Sequence, residues 1–154
     1  MQTARILSLL WLLWLAGLHL GARAAWPTPE GYWQSFDDTG RVPQAVVHIE
    51  AERGRLVGRI IKVLDPRADP HETCNRCTGE WKDKPLVGLE IITGVDVVAR
   101  DGAWGAGQIL DPEDGRLYRV RLELDGSGDS LLVRGYWGPF WRTQKWTRLK
   151  GPGS

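Results

Sequence analysis

The sequence predicts an all-β protein: a single antiparallel up-and-down barrel of about eight strands, preceded by an apolar leader. Three observations predict it. After the leader, the chain divides into short runs in which apolar and polar residues alternate with a period of two. Turn pairs such as Asp101-Gly102 and Asp114-Gly115 separate those runs. No later segment sustains a 3.6-residue period, while glycine (19 of 154) and tryptophan (9 of 154) are both abundant, as suits strands broken by tight turns. Consecutive strands with short connections favour closure, because a closed barrel leaves no bare edge; a β-sandwich is the structural alternative.

The leader comes first. Arg5 supplies a positive start, Ile6 to Leu20 form a 15-residue apolar run, and Ala22-Arg23-Ala24 offers a small-residue cleavage pattern before Ala25. A spanning helix needs roughly 20 apolar residues. Residues 1–24 are therefore expected to be a cleaved secretory signal, with an uncleaved anchor as the rival reading. No cysteine lies near the cleavage point to carry a lipid, and no later stretch approaches membrane length. The expectation is one barrel domain over residues 25–154, periplasmic or secreted and not integral to a membrane.

Trp26–Glu30 is a proline-containing, extended lead-in. Gly31–Phe36 is the first strand, ended by the turn Asp37-Asp38-Thr39-Gly40. Ala45–Glu52 and Arg55–Leu64 flank a short hairpin connection at Arg53-Gly54. Leu86–Thr93, Ala103–Leu110, Leu117–Leu124, Leu131–Trp137 and Thr143–Leu149 complete the set. In Leu117–Leu124, Tyr118, Val120, Leu122 and Leu124 oppose Arg119, Arg121 and Glu123; in Val46–Ala51, Val47, Ile49 and Ala51 oppose Val46, His48 and Glu50. The third strand is less regular, since Ile60 and Ile61 are both apolar.

Charge narrows the partners. The leader holds two arginines and no acid, which leaves 18 basic and 19 acidic residues after it, a net charge of −1. No basic stripe marks a nucleic-acid binder. The same balance argues against electrostatic adhesion to an anionic membrane.

The 21 residues between Leu64 and Leu86 form a long polar connection containing both cysteines, as Cys74-Asn75-Arg76-Cys77. Loops beyond roughly 12–15 residues are often functional or tied down. A disulfide suits an oxidising compartment. A redox-active dithiol suits the spacing, although no helical pattern follows it. A metal site would join His71, Cys74 and Cys77 to a fourth ligand such as Asp69 or Glu72. The disulfide is favoured, with no metal and no cofactor expected.

No catalytic residue is assigned. His48 and His71 are the only histidines after the leader, and no hydrolase or phosphate-binding motif occurs. Asp111-Pro112-Glu113-Asp114-Gly115 reads as a hairpin turn rather than a calcium or paired-acid site. Seven tryptophans follow residue 24, and most suit a barrel core. Gly135–Trp141 is nevertheless dense in aromatic rings at a turn, able to stack on sugars or cover an apolar ligand. Tyr118, Tyr136, Trp137 and Trp141 are the candidate ligand-binding residues.

These segments resemble a bacterial exported family known as domain of unknown function 2147. The resemblance rests on Gly31-Tyr32-Trp33, Gly58-Arg59-Ile60, Cys74–Cys77, Pro85–Gly88, Gly107–Gly115, Tyr118, Leu132–Tyr136 and Gln144–Arg148, in order along the chain. One departure is Ala106-Gly107, where members often carry a glycine pair. The resemblance implies a lipocalin-like (calycin) barrel in the cell envelope, and it implies no activity. It also implies a barrel-end plug in which the Arg148 guanidinium stacks over the Trp33 indole. The expected function is non-enzymatic binding of a small apolar or amphipathic molecule in the barrel mouth. The alternatives are an envelope module that docks a protein or glycan, and an enzyme using scattered carboxylates.

Overall fold

The computed structural model describes residues 27–69 and 71–153; the expected signal segment and Trp26 lie outside them. Eight strands run in order: β1 (Gly31–Phe36), β2 (Pro43–Glu52), β3 (Arg55–Val63), β4 (Glu90–Asp96), β5 (Ala103–Asp111), β6 (Arg116–Leu124), β7 (Ser130–Trp137) and β8 (Phe140–Leu149). Each pairs antiparallel with the next, and β8 returns to β1 with Arg148 opposite Trp33, so the sheet is a closed barrel. The sandwich alternative is thereby excluded. Among the described residues the only helical piece is a single 3-10 turn, Gly79–Trp81.

Period-2 alternation builds the core. Trp33, Val47, Ile49, Leu56, Ile92, Leu122, Leu131 and Trp146 are among the side chains packed inside, each essentially inaccessible to water. Removing that much apolar surface from water is the main favourable contribution to the fold. The adjacent Ile60 and Ile61 are reconciled by a bulge. Val46 pairs with Lys62 but Val47 with Ile60, so Ile61 is the extra residue and only Ile60 is fully buried.

A second bulge lies in β5, where Trp104 pairs with Leu122 and Gly107 with Val120. Residues 105 and 106 thus oppose Arg121 alone. Ala106 adopts φ +64, the left-handed region that costs a side chain about 1–2 kcal/mol. That is the position where the resemblance expects a glycine. Gly107 next to it is tightly enclosed: a Cβ there would lie 2.5 Å from the Thr93 carbonyl oxygen and 2.6 Å from the Val95 nitrogen.

Several strand limits differ from the sequence reading, β2 starting at Pro43 and β4 ending at Asp96 among them, and two shifted starts have an evident cause. β4 begins at Glu90 rather than Leu86, because Leu86–Leu89 is spent on an irregular crossing. The Leu86 N–H donates to Glu72, the Gly88 N–H donates to the Ile60 carbonyl, and the Ile60 N–H donates to Leu89. β8 begins at Phe140 rather than Thr143, because Gly138-Pro139 alone makes the turn and Trp137 already pairs with Phe140.

The long connection is tied to itself and to the barrel. Cys74 and Cys77 are joined by a disulfide, with Cα atoms 5.3 Å apart and both side chains buried. The Cys74 N–H donates to Lys84, the Asp83 N–H donates to Cys74, and Thr73 bridges to Pro85. His71 is exposed, and among the described residues no group of three or more His, Cys, Asp or Glu could hold a metal ion. The loop then rests on the β5–β6 turn. The Arg76 guanidinium donates to the Glu113 carbonyl at 2.8 Å, and Gly115, at φ +75, lies hard against the Arg76 backbone.

Candidate functional site at the barrel mouth

The two ends of the barrel are built differently. At one end Trp33 is fully buried and its indole N–H donates to the Pro29 carbonyl at 2.8 Å. The Arg148 guanidinium stacks 4.1 Å from the centre of that ring. Its three nitrogens donate to the carbonyls of Gly128, Glu30 and Thr28 at 2.6, 2.8 and 2.9 Å. Burial pulls its pKa below the usual arginine value. The lead-in thus wraps this end, held by Trp33 and Arg148.

Gly128 belongs to a turn organised by Asp125, whose carboxylate accepts from the Ser127 hydroxyl at 2.8 Å and the Ser130 N–H at 3.3 Å. The Ser127 hydroxyl contributes most to holding the Asp125 pKa at about 2, against an ordinary 3.8. A folded-state value below the unfolded one adds stability that is present above pH ~4 and is lost as pH falls toward ~2. Asp125→Asn is therefore expected to flatten the loss of stability across that window, read as thermal midpoint against pH.

The opposite end is open. A cavity of about 890 Å³ runs in from the mouth, walled at depth by apolar side chains that include Val47, Ile60, Ile91, Val133 and Trp146. Its rim is polar. Arg142 reaches across the opening, donating to Asp111 at 2.6 Å and to Asp38 at 3.1 Å. Burial, with Asp111 and Asp38 nearby, raises the Glu113 pKa. The Tyr118 hydroxyl bonds to Asp114, and burial followed by that bond raises the phenol pKa. Residues of the disulfide-bearing loop, among them Glu72, Thr73, Asn75 and Arg76, form one side of the opening.

Three of the four candidate ligand-binding residues come together here. Tyr118, Trp137 and Trp141 line the cavity. Tyr136 does not. It points outward on β7, half-buried, with the Arg119 guanidinium 6.0 Å from its ring centre. The period of two decides this: Val133, Gly135 and Trp137 face inward, so Tyr136 faces outward. The tryptophans divide instead by position along the barrel, with Trp33, Trp104 and Trp146 in the core and Trp137 and Trp141 exposed at the rim.

Other contributors were not singled out beforehand. Arg142, Gln144, Gly135 and Leu86 all line the cavity. Inward parity along β8 could have indicated Arg142, Gln144 and Trp146 once the strand was extended back to Phe140. Asp111, read as turn chemistry, does begin a turn, with its carbonyl accepting from Gly115 at 2.8 Å, but its carboxylate also holds Arg142. No described histidine lines the cavity; His48 lies on the outer wall, stacked 4.4 Å from Tyr32.

A closed antiparallel eight-stranded barrel with one end packed over by Trp33 and Arg148 and the other open defines a lipocalin-like barrel. The chain belongs to the family described as "Uncharacterized protein conserved in bacteria (DUF2147)", whose pattern it matches over residues 31–148. Among solved structures it is similar to protein HP1028 of Helicobacter pylori, described as belonging to the lipocalin family. The two share 17% identity and a TM-score of 0.65, over 79% of this chain and 82% of that one. No curated protein matches the chain. Among the described residues, no helix is long and apolar enough to cross a membrane.

Proposed function

We propose that this protein is an exported, non-enzymatic carrier that binds a small amphipathic molecule in the barrel mouth. One observation carries the reading: a cavity of about 890 Å³ that is apolar at depth and polar at its rim. Cavities of roughly 300–1,000 Å³ with a few converging polar groups are typical of small-molecule sites. An apolar tail would lie among Val47, Ile60, Val133 and Trp146, with Tyr118, Trp137 and Trp141 covering it. Its head would sit by Arg142, Asp111 and Asp38. Trp33 and Arg148 act as the plug of the other end. The leader and the disulfide support delivery to an oxidising compartment, periplasmic or secreted.

An interaction module needs no such cavity, which is why the carrier reading is preferred. Glu113 is the feature on which the enzyme reading would rest, since its pKa is shifted in the direction a general acid requires. No histidine, thiol or activated hydroxyl faces it across the cavity among the described residues.

Native mass spectrometry of protein purified from the periplasm without detergent tests the carrier reading. An adduct of a few hundred daltons, lost on gentle activation, is expected. Gly135→Leu should then cut the affinity for a fluorescent amphiphile at least tenfold. A Cβ at Gly135 makes ordinary contact with Tyr118 at 3.4 Å and Ile109 at 3.9 Å, so the larger side chain fills the cavity without straining the strand. A bare mass, together with no saturable binding of charged, zwitterionic or neutral amphiphiles, would overturn the reading.

A further inference from the structure

We propose that the outer face of β6–β8 beside the mouth docks onto the headgroup layer of an anionic lipid bilayer, with the rings at the β7–β8 turn seated in the interface. The inference goes beyond the carrier reading and does not depend on the cavity being filled.

The first observation is an exposed aromatic tip. Trp137, Phe140 and Trp141 are 60%, 66% and 66% accessible, although rings of this size are normally covered. The Trp137 and Phe140 rings stack 6.3 Å apart, so they present one continuous apolar surface. Tryptophan at such a tip suits the boundary between water and acyl chains, where an amphipathic ring satisfies both sides.

The second observation is the charge behind that tip. Strand register sets Arg119 beside Tyr136 and Trp141, then Arg121 beside Arg134 and Thr143, then Glu123 beside Leu132 and Lys145. With a rise of about 3.3 Å per residue, successive outward rows lie about 7 Å apart. The basic rows therefore stand at and just behind the level of the rings, as lipid phosphates do relative to the acyl boundary, where interfacial elements bury about 5–10 Å.

Among the described residues, Arg116, Arg119, Arg134 and Lys145 have no carboxylate at ion-pair distance; only Arg121 has one, Glu123. Arg134 donates instead to the Thr143 hydroxyl. On the opposite wall the charges nearly balance: Glu50, Glu52 and Glu90 converge on Arg59, Arg55 pairs with Asp96, and Lys62 adds a further cation. The near-zero net charge thus conceals one basic wall. That is why the sequence argument against an anionic membrane does not hold for this face. The order of apolar tip and then cations matches the depth profile of a bilayer, which a soluble polyanionic glycan does not have.

Flotation of the mature protein with phosphatidylcholine vesicles, with and without phosphatidylglycerol, tests the proposal. Binding is expected only with phosphatidylglycerol, and it should weaken as salt rises. The variant Arg119→Gln/Arg134→Gln/Lys145→Gln should lose affinity by about fivefold for each charge removed. It should keep its thermal midpoint and its affinity for a soluble fluorescent amphiphile, because none of the three residues lines the cavity. Lipids brominated near the headgroup should quench tryptophan emission in the native protein and much less in Trp137→Ala/Trp141→Ala. Equal binding to both vesicle types, or native-like binding by the charge variant, would overturn the proposal. So would retention on an immobilised polyanionic glycan without any binding to vesicles. Absence of amphiphile binding by the native protein, with its vesicle binding intact, would instead count against the carrier reading alone.

Discussion

Trp33→Ala is expected to lower the unfolding free energy by about 3–5 kcal/mol, the usual range for deleting a fully buried large aromatic. Two features place it toward the upper end. Removing the indole leaves the Pro29 carbonyl without the N–H that now donates to it at 2.8 Å. It also removes the ring on which the Arg148 guanidinium rests, 4.1 Å away. A partly buried charge would then lose its aromatic partner while keeping its three carbonyl acceptors. Trp33→Phe restores most of the apolar contact but not the donor, so it should cost distinctly less. Urea denaturation of the three proteins measures the series. An alanine variant as stable as the native chain would rule out the plug role of Trp33.

Gly115→Ala is the second large effect, expected at about 2–4 kcal/mol for two separable reasons. The residue sits at φ +75, where any side chain costs about 1–2 kcal/mol. Its new Cβ would also lie 2.0 Å from the Arg76 carbonyl oxygen and 2.9 Å from the Cys77 nitrogen, both backbone atoms. The disulfide-bearing loop would have to lift from the β5–β6 turn. Gly102→Ala is the control, because Gly102 shares φ +75 but has open space around it. The difference in midpoint between the two variants isolates the contact. Amide exchange over residues 72–78 should quicken in the first variant only. If both variants lose the same stability, the loop does not rest on Gly115.

The eight strands could be read from the sequence because alternation is a local signal, repeated every two residues and interrupted by turn pairs. Tyr118–Leu124 and Val47–Ile49 needed nothing more. The misplaced start of β4 came from treating Leu86–Gly88 as strand, when the Leu86 N–H donates to Glu72 and the Gly88 N–H to Ile60. Local pattern carries no information about such partners. The rim was hidden for the same reason. Arg142 meets Asp111 across 31 residues and Asp38 across 104, and each belongs to a segment that looks like ordinary turn or strand on its own. The stacking of Arg148 on Trp33 was expected only through the resemblance, since nothing in the spacing of the two residues brings them together. The basic wall was legible to neither, because a sum over residues discards direction.

The seam between β1 and β8 has a consequence for how this molecule is made. Arg148 holds the carbonyls of residues 30 and 28, which lie 118 and 120 positions earlier. A nascent chain therefore cannot shut the cylinder until residue 148 has left the ribosome. Until then β1 and β7 each keep a bare edge, able to recruit a strand from another chain. Pairing of β8 with β1 is also slow, because a loop of more than a hundred residues must be closed before its contacts form. A premature stop a few codons before Arg148 would thus yield an unfinished sheet with sticky borders rather than a slightly smaller cylinder. Its cellular fate would be decided by chaperones and proteases instead of by any remaining binding.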